Sequence, residues 1–306
     1  MDATPYHLAT YDDERGPRAG LVVAGRLHDL ADVSGRIDFQ TTLGVLQQWT
    51  SAQAHLQALA DAAHALPAMP LEGARLLAPI LYPPAVYCAG SNYADHVANM
   101  ERKLGLPPGP DPRADGARPF HFLKASRCCV GPDAVVPAPS AMLDWEGELV
   151  VVIGVQARNV SIDTAMDHVA GYMAGNDLSV RDLGFRPQTP PSSIFHHSFI
   201  DHKSFEHSAP VGPWITPASH VEDPDGLSIK TWVNDVLRQD GQAGDMIFSI
   251  AEQIAYLSSV ATLHPGDILM TGTPAGVGFE AGEFLKPGDR VAVSIGTLGI
   301  LEISIA

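Results

Sequence analysis

Cysteine is scarce in this chain. Its 306 residues carry three, Cys88, Cys128 and Cys129, an odd number with two adjacent. That count argues against a disulfide framework and for a reducing compartment, and the lack of any Cys-x-x-Cys pair argues against a structural zinc knuckle. Long apolar runs are missing too. None approaches the roughly 18 residues that a spanning helix needs. The opening Met-Asp-Ala-Thr-Pro has no basic segment followed by an apolar one, so a secretory signal is not expected and a cytoplasmic location is. Positive charge is in short supply: 19 Lys and Arg face 35 Asp and Glu, a net charge of −16 with a pI near 5.1. Such a surface disfavours nucleic acid and anionic membranes as partners. A small anionic substrate stays compatible, because a local Arg, Lys or metal overrides the global field. Gly272-Thr-Pro-Ala-Gly-Val-Gly lacks the Lys-Ser/Thr ending of a phosphate loop, and no dinucleotide fingerprint follows a strand, so no nucleotide cofactor is expected.

What is present is a large apolar fraction, 45%, with only 18% charged residues, enough for a substantial core. The texture divides the chain into a small N-terminal α/β unit, residues 1–78, and a larger domain, residues 79–306. In the first, residues 20–24 and 26–30 read as a hairpin around Gly25. Residues 42–66 read as helix, in one or two pieces, from the spacing of Leu43, Leu46, Trp49, Leu56 and Leu59. In the second, residues 149–153 (Leu-Val-Val-Val-Ile) form a strand buried on both faces. Residues 229–234 and 236–239 flank a turn at Asn234-Asp235, and residues 268–271, 291–295 and 300–305 are further strands. One helix is expected over residues 163–170. Another starts at Ser249, where Ser-Ile-Ala-Glu is a capping box. Strands outnumber helices without alternating regularly, which predicts an α+β, strand-rich fold rather than a parallel barrel or Rossmann sheet. Residues 100–119 and 182–202 fit neither class and are candidate lids.

Glu146 and Glu148 precede the buried strand. Side chains repeat every two residues along a strand, so both acids face the same way, and Asp144 would share that face. Like charges at that spacing, leading into an apolar core, call for neutralisation. A hard divalent cation provides it, and oxygen-only ligands select magnesium, manganese or calcium over zinc. A strand–helix–strand passage can bring Asp177 beside Glu148. On spacing alone, a solvated acidic edge explains the pattern more economically.

The surrounding motifs change that balance. Gly90-Ser-Asn92-Tyr93-Ala-Asp95-His96, Glu146-Gly-Glu148-Leu-Val-Val-Val-Ile-Gly, Asn176-Asp177-Leu-Ser-Val-Arg181-Asp182, Lys203-Ser-Phe with Gly212-Pro213, and Thr271-Gly272-Thr273-Pro-Ala-Gly276-Val-Gly278 occur in this order. Together they resemble the fumarylacetoacetate hydrolase family over roughly residues 80–306. The resemblance implies a mixed β-roll or β-sandwich-like catalytic fold, usually a homodimer. It implies a Mg2+ or Mn2+ ion on Glu146, Glu148 and Asp177, with a small anionic keto acid as substrate. It also implies Lys203 as the site lysine, Arg181, Gly272 and Thr273 as substrate contacts, and a supporting role for Lys124.

His96 is the expected general base, since imidazole takes a proton from water near neutral pH. Two departures from the family pattern concern it. Hydrolase members often carry Glu three residues after this His, and here that position is Asn99. The family's Arg-Asp is followed shortly by a Gln, and the run Arg181-Asp182-Leu183-Gly184 here is without that amide. The expected activity is metal-dependent hydrolysis of a carbon–carbon bond in an acylpyruvate or related 1,3-dicarbonyl acid, in aromatic or sugar-acid catabolism. Isomerisation or decarboxylation of an unsaturated 2-keto acid is the first alternative, and a non-catalytic ligand-binding homologue is the second. The histidines at 196, 197, 202 and 207 are too irregularly spaced to favour a transition-metal site.

Overall fold

A computed structural model describes residues 3–306. His7–Asp13 (β1) and Gly16–Val23 (β2) pair antiparallel, and β2 turns back into Arg26–Asp29 (β3). Ala24 and Gly25 both have positive φ, the backbone of a tight two-residue hairpin, and glycine relieves the second position. The expected helical stretch splits into Thr42–Leu46 and Trp49–Asp61 (α1). There follow Val86–Ala89 (β4), Ala94–Leu104 (α2), His121–Lys124 (β5), Gly147–Ile153 (β6) and Val169–Asn176 (β7). Next come Phe199–Lys203 (α3), Ala209–Pro217 (β8), Ser228–Val233 (β9), Val236–Gln242 (β10) and Ile250–Val260 (α4). The chain closes with Ile268–Met270 (β11), Gly278–Ala281 (α5), Arg290–Ile295 (β12) and Ile300–Ile305 (β13).

The strands form a large mixed sheet in the order β3-β2-β1-β8-β7-β6-β11-β4-β5, with a second sheet ordered β10-β9-β12-β13. The leading strands are continuous with the large sheet through the β1–β8 pairing. All seven residues of β6 are buried, as the unbroken apolar run of residues 149–153 requires of most of them. Val150 and Val152 face a core shared with Trp49, Leu56 and Ile215, while Leu149, Val151 and Ile153 face one shared with Ile254, Val293 and Leu301. One strand thus separates two cores, which is why alternation vanishes from its sequence. The result is a strand-rich mixed α/β fold, with no closed barrel among the described residues.

Two expectations need correction. The helix expected over residues 163–170 is only Ile162–Ala165 with a 3-10 turn at Met166–His168, and β7 already begins at Val169. Pairing with both β6 and β8 outweighs helical spacing there. The irregular segment over residues 100–119 is helical as far as Leu104, where Gly105 ends α2 with a left-handed φ of 66°. The other long segment closes on itself through Arg186 N to His196 O (2.7 Å) and Ser198 N to Gly184 O (3.1 Å). It ends in α3, whose side-chain cap is Ser198.

Candidate active site

The β6–β7 pair positions the acids. Gly147 lies opposite Asn176 and Glu148 opposite Gly175, so Asp177 follows the strand end beside Glu146, whose carbonyl accepts its amide at 2.8 Å. Gly147 turns towards the second sheet. A Cβ there would stand 2.1 Å from Thr231 Oγ1, while its amide donates to Gln239 Oε1 at 2.9 Å. The Glu-Gly-Glu spacing therefore sends two carboxylates to one face and lets the other sheet approach closely on the opposite face. Oxygen atoms of Glu146, Glu148 and Asp177 lie within 4.8 Å of one another, and all three residues are buried. Asp144 does not join them. It accepts from Arg181 Nε at 2.7 Å and from the amides of Gly278 and Phe279.

Three cations face these acids. Lys203 Nζ donates to Glu146 Oε2 at 2.8 Å and Asp177 Oδ2 at 2.7 Å. Lys124 Nζ lies 2.5 Å from Asp177 Oδ1 and donates to the carbonyls of Leu178 and Ser208. Arg181 Nη2 donates to Glu146 Oε1 at 2.6 Å. Burial works against ionisation of Glu146, but Lys203 and Arg181 outweigh it and hold the carboxyl well below its usual range. Glu148 is the opposite case. Burial, reinforced by the charges of Asp177 and Glu146, pushes it well above the usual range. Its Oε2 accepts the Gly272 amide at 2.8 Å, but its Oε1 is buried with no hydrogen-bond partner. A buried orphan carboxylate oxygen is costly. A hard cation held by this oxygen and its neighbours on Glu146 and Asp177 would satisfy it, so the donor set fits magnesium or manganese.

His96 occupies the first turn of α2 and is 8% exposed. Its Nδ1 lies 2.7 Å from Glu280 Oε1, on α5. The other oxygen of Glu280 accepts from Asn99 Nδ2 and from the Gly276 amide, each at 2.9 Å. Burial opposes ionisation of Glu280, yet the His96, Gly276 and Asn99 contacts hold its carboxyl below the usual range. The ionised carboxylate accepts from Nδ1–H and leaves Nε2 free to take a proton. Sequence reasoning missed Glu280. The one available signal was its position two residues beyond the Gly276-Val-Gly278 motif.

The other expected residues occupy varied positions. The Thr273 hydroxyl donates to the Gly147 carbonyl at 2.9 Å and accepts from Gln239 Nε2 at 2.7 Å. Asp182 accepts from Ser140 Oγ at 2.6 Å rather than from Arg181. His196 and His197 pack against Phe185, and His207 Nδ1 contacts the Val135 carbonyl. Burial, with Lys203 and Arg181 nearby, lowers His202 to about 3.

The model of the fumarylacetoacetate (FAA) hydrolase C-terminal region matches residues 85–306. Oxaloacetate tautomerase YisK of Bacillus subtilis is 38% identical over 237 residues, covering 76% of this chain and 73% of the relative. Maleylpyruvate hydrolase from Sphingobium sp. SYK-6, solved in complex with manganese(II) ion and pyruvate, superposes with a TM-score of 0.75 at 29% identity, covering 98% of each chain. The 2-hydroxyhepta-2,4-diene-1,7-dioate isomerase from Mycobacterium marinum superposes with a TM-score of 0.70 at 28% identity, again covering 98% of each chain. The chain belongs to the fumarylacetoacetate hydrolase family, whose members include tautomerases, isomerases and hydrolases.

Proposed function

We propose that this member of the fumarylacetoacetate hydrolase family hydrolyses a carbon–carbon bond in an acylpyruvate or a related 1,3-dicarbonyl acid. The observation that carries this reading is the buried His96–Glu280 pair, 2.7 Å apart. Hydrolysis needs a base for water, and a base needs a partner for the imidazolium that forms. Asn99 cannot stabilise that charge, but Glu280 can, and Asn99 holds Glu280 in place.

Glu146, Glu148 and Asp177 would hold the magnesium or manganese ion. Bound there, the ion would supply Lewis acidity to the 2-keto oxygen and stabilise enolate charge, an effect of several kcal/mol. His96 Nε2 takes a proton from water as the water oxygen bonds to the acyl carbonyl carbon. The bond between that carbon and the methylene breaks, its electron pair stays with the pyruvate fragment as enolate, and His96 returns the proton to the methylene carbon. Lys203 offsets the charge of Glu146 and Asp177, to both of which it donates, and its third N–H would serve the substrate carboxylate. Lys124 and Arg181 fix Asp177 and Glu146, and Gly272 fixes Glu148 through its amide.

Keto–enol tautomerisation of a 2-keto acid is the second reading, favoured by the 38% identity to an oxaloacetate tautomerase. It uses the same carboxylates and His96 without attacking water. Assaying an acylpyruvate series with Mg2+ or Mn2+ separates the two. Equimolar pyruvate and carboxylic acid are expected. Rapid enol–keto conversion of oxaloacetate with no cleavage of any acylpyruvate would replace the first reading by the second.

A further inference from the structure

The residues above the acidic cage share a pattern that the reaction itself does not use. Phe120, Phe122 and Lys124 are spaced two apart along and just before β5, so they point to one face. Phe199 and Lys203 are four apart on α3 and share one side of it. Both elements therefore carry a lysine to the buried carboxylates and a phenylalanine one step outward. The rings meet. Phe122 and Phe199 have centroids 5.6 Å apart, Phe120 and Phe199 6.1 Å, and Lys203 Nζ stands 5.2 Å from the Phe122 ring centroid.

Phe120 is 53% exposed and Phe199 49%, which is a poor use of two large rings unless something covers them. Phe120 is also held in place. A Cβ on Gly90 would lie 2.6 Å from its ring, so the absence of a side chain at Gly90 lets the ring settle on the backbone that leads into His96. The charge distribution matches. Lys124, Lys203 and Arg181 are committed to the carboxylates below, and Arg186, on the segment that leads into α3, is paired with Asp201. A group extending outward from the cage past Lys203 meets the Phe122 ring and, beyond it, Phe199 and Phe120.

We infer that Phe120, Phe122 and Phe199 form a subsite for an apolar or aromatic tail on the substrate. This rests on the keto-acid reading and narrows it to acids whose far end is uncharged, as against short dicarboxylates. The tail lies on the rings while the keto-acid head reaches the cage, so tail length sets affinity and the head sets chemistry.

Binding of two non-cleavable acids to the full chain loaded with Mn2+, measured by calorimetry, tests the subsite apart from turnover. They are 2-oxobutanoate and 4-phenyl-2-oxobutanoate, which share a head and differ in tail. The phenyl compound is expected to bind at least tenfold more tightly. In the Phe120→Ala/Phe199→Ala double variant that ratio falls towards one. In Leu123→Ala, altered at an exposed side chain on the opposite face of β5, it persists, which separates ring contact from general disturbance of the strand. Equal affinities in the unaltered chain, or an undiminished ratio in the double variant, overturn the subsite and leave the keto-acid reading standing. If neither acid binds, the keto-acid reading falls and the subsite with it.

Discussion

His96 and Glu280 lie 184 residues apart in sequence, yet Nδ1 and Oε1 stand 2.7 Å from each other in the tertiary structure. The carboxylate sets the tautomer, and Asn99 and the Gly276 amide set the carboxylate. Glu280→Gln keeps the shape and removes the charge. Cleavage is expected to lose about 10²-fold in kcat with KM nearly unchanged, because general-base catalysis contributes on that scale. Steady-state kinetics with a cleaved acylpyruvate measures this, and an unaltered kcat would remove Glu280 from the mechanism.

Glu148 bears a buried oxygen without a partner. Glu148→Gln should therefore leave the metal-free protein at least as stable as before, since a buried, charge-crowded acid is replaced by a neutral group. The same change should abolish the thermal shift produced by Mn2+, which for the unaltered chain is worth about 2.7 kcal/mol at a hundred times Kd. Thermal melts with and without Mn2+ read both effects. A retained metal shift would mean the ion is held elsewhere.

Gly147 has no room for a side chain. Its Cβ would sit 2.1 Å from Thr231 Oγ1 and 3.3 Å from both Gln239 Oε1 and Val293 Cγ1. Gly147→Ala must displace the second sheet or β6, and overpacking of this kind costs about 1–3 kcal/mol. Because Glu146 and Glu148 flank the site, metal affinity should fall with stability. Urea unfolding and a Mn2+ titration of the variant check the two together, and an unchanged midpoint would contradict the close sheet approach.

Far from the cage, Asp29 caps the short Leu30–Ser34 helix through the Asp32 amide, accepts the Tyr11 hydroxyl at 2.7 Å and pairs with the buried Arg18. Burial opposes its ionisation, but Arg18, Tyr11 and the Asp32 amide hold the carboxyl below its usual range. A lowered folded-state value means stability that is present above the unfolded value near 4 and is lost as pH falls through the folded one. Asp29→Asn should cost about 3 kcal/mol at pH 7, because it leaves the buried Arg18 only the longer contact to Asp32. The gap from the unaltered chain should narrow as the pH drops below about 4. Denaturant midpoints at pH 7 and pH 3 measure it, and a gap that widens in acid would reverse the assignment.

Much of the scaffold was legible in the sequence because it rests on local periodicity. The β2–β3 hairpin at Ala24-Gly25, the two-faced burial of β6 and the capping box of α4 each depend on residues within a few positions of one another. The helix expected over residues 163–170 stops short, at His168, for the opposite reason. Strand pairing on both sides of β7 is a nonlocal interaction, and it overrode a local preference.

The sequence by itself put Glu146 and Glu148 on one face through the two-residue strand repeat, and the resemblance carried by its ordered motifs added Asp177 to complete the acidic cage. Only the tertiary structure decided what lies around it. The packing of α2 against α5 brings Glu280 to His96, and the meeting of α3 with β5 brings Phe199 against Phe120 and Phe122. Strand periodicity orients neighbours along one segment, but contacts between distant segments depend on how whole elements dock, and no local spacing encodes that.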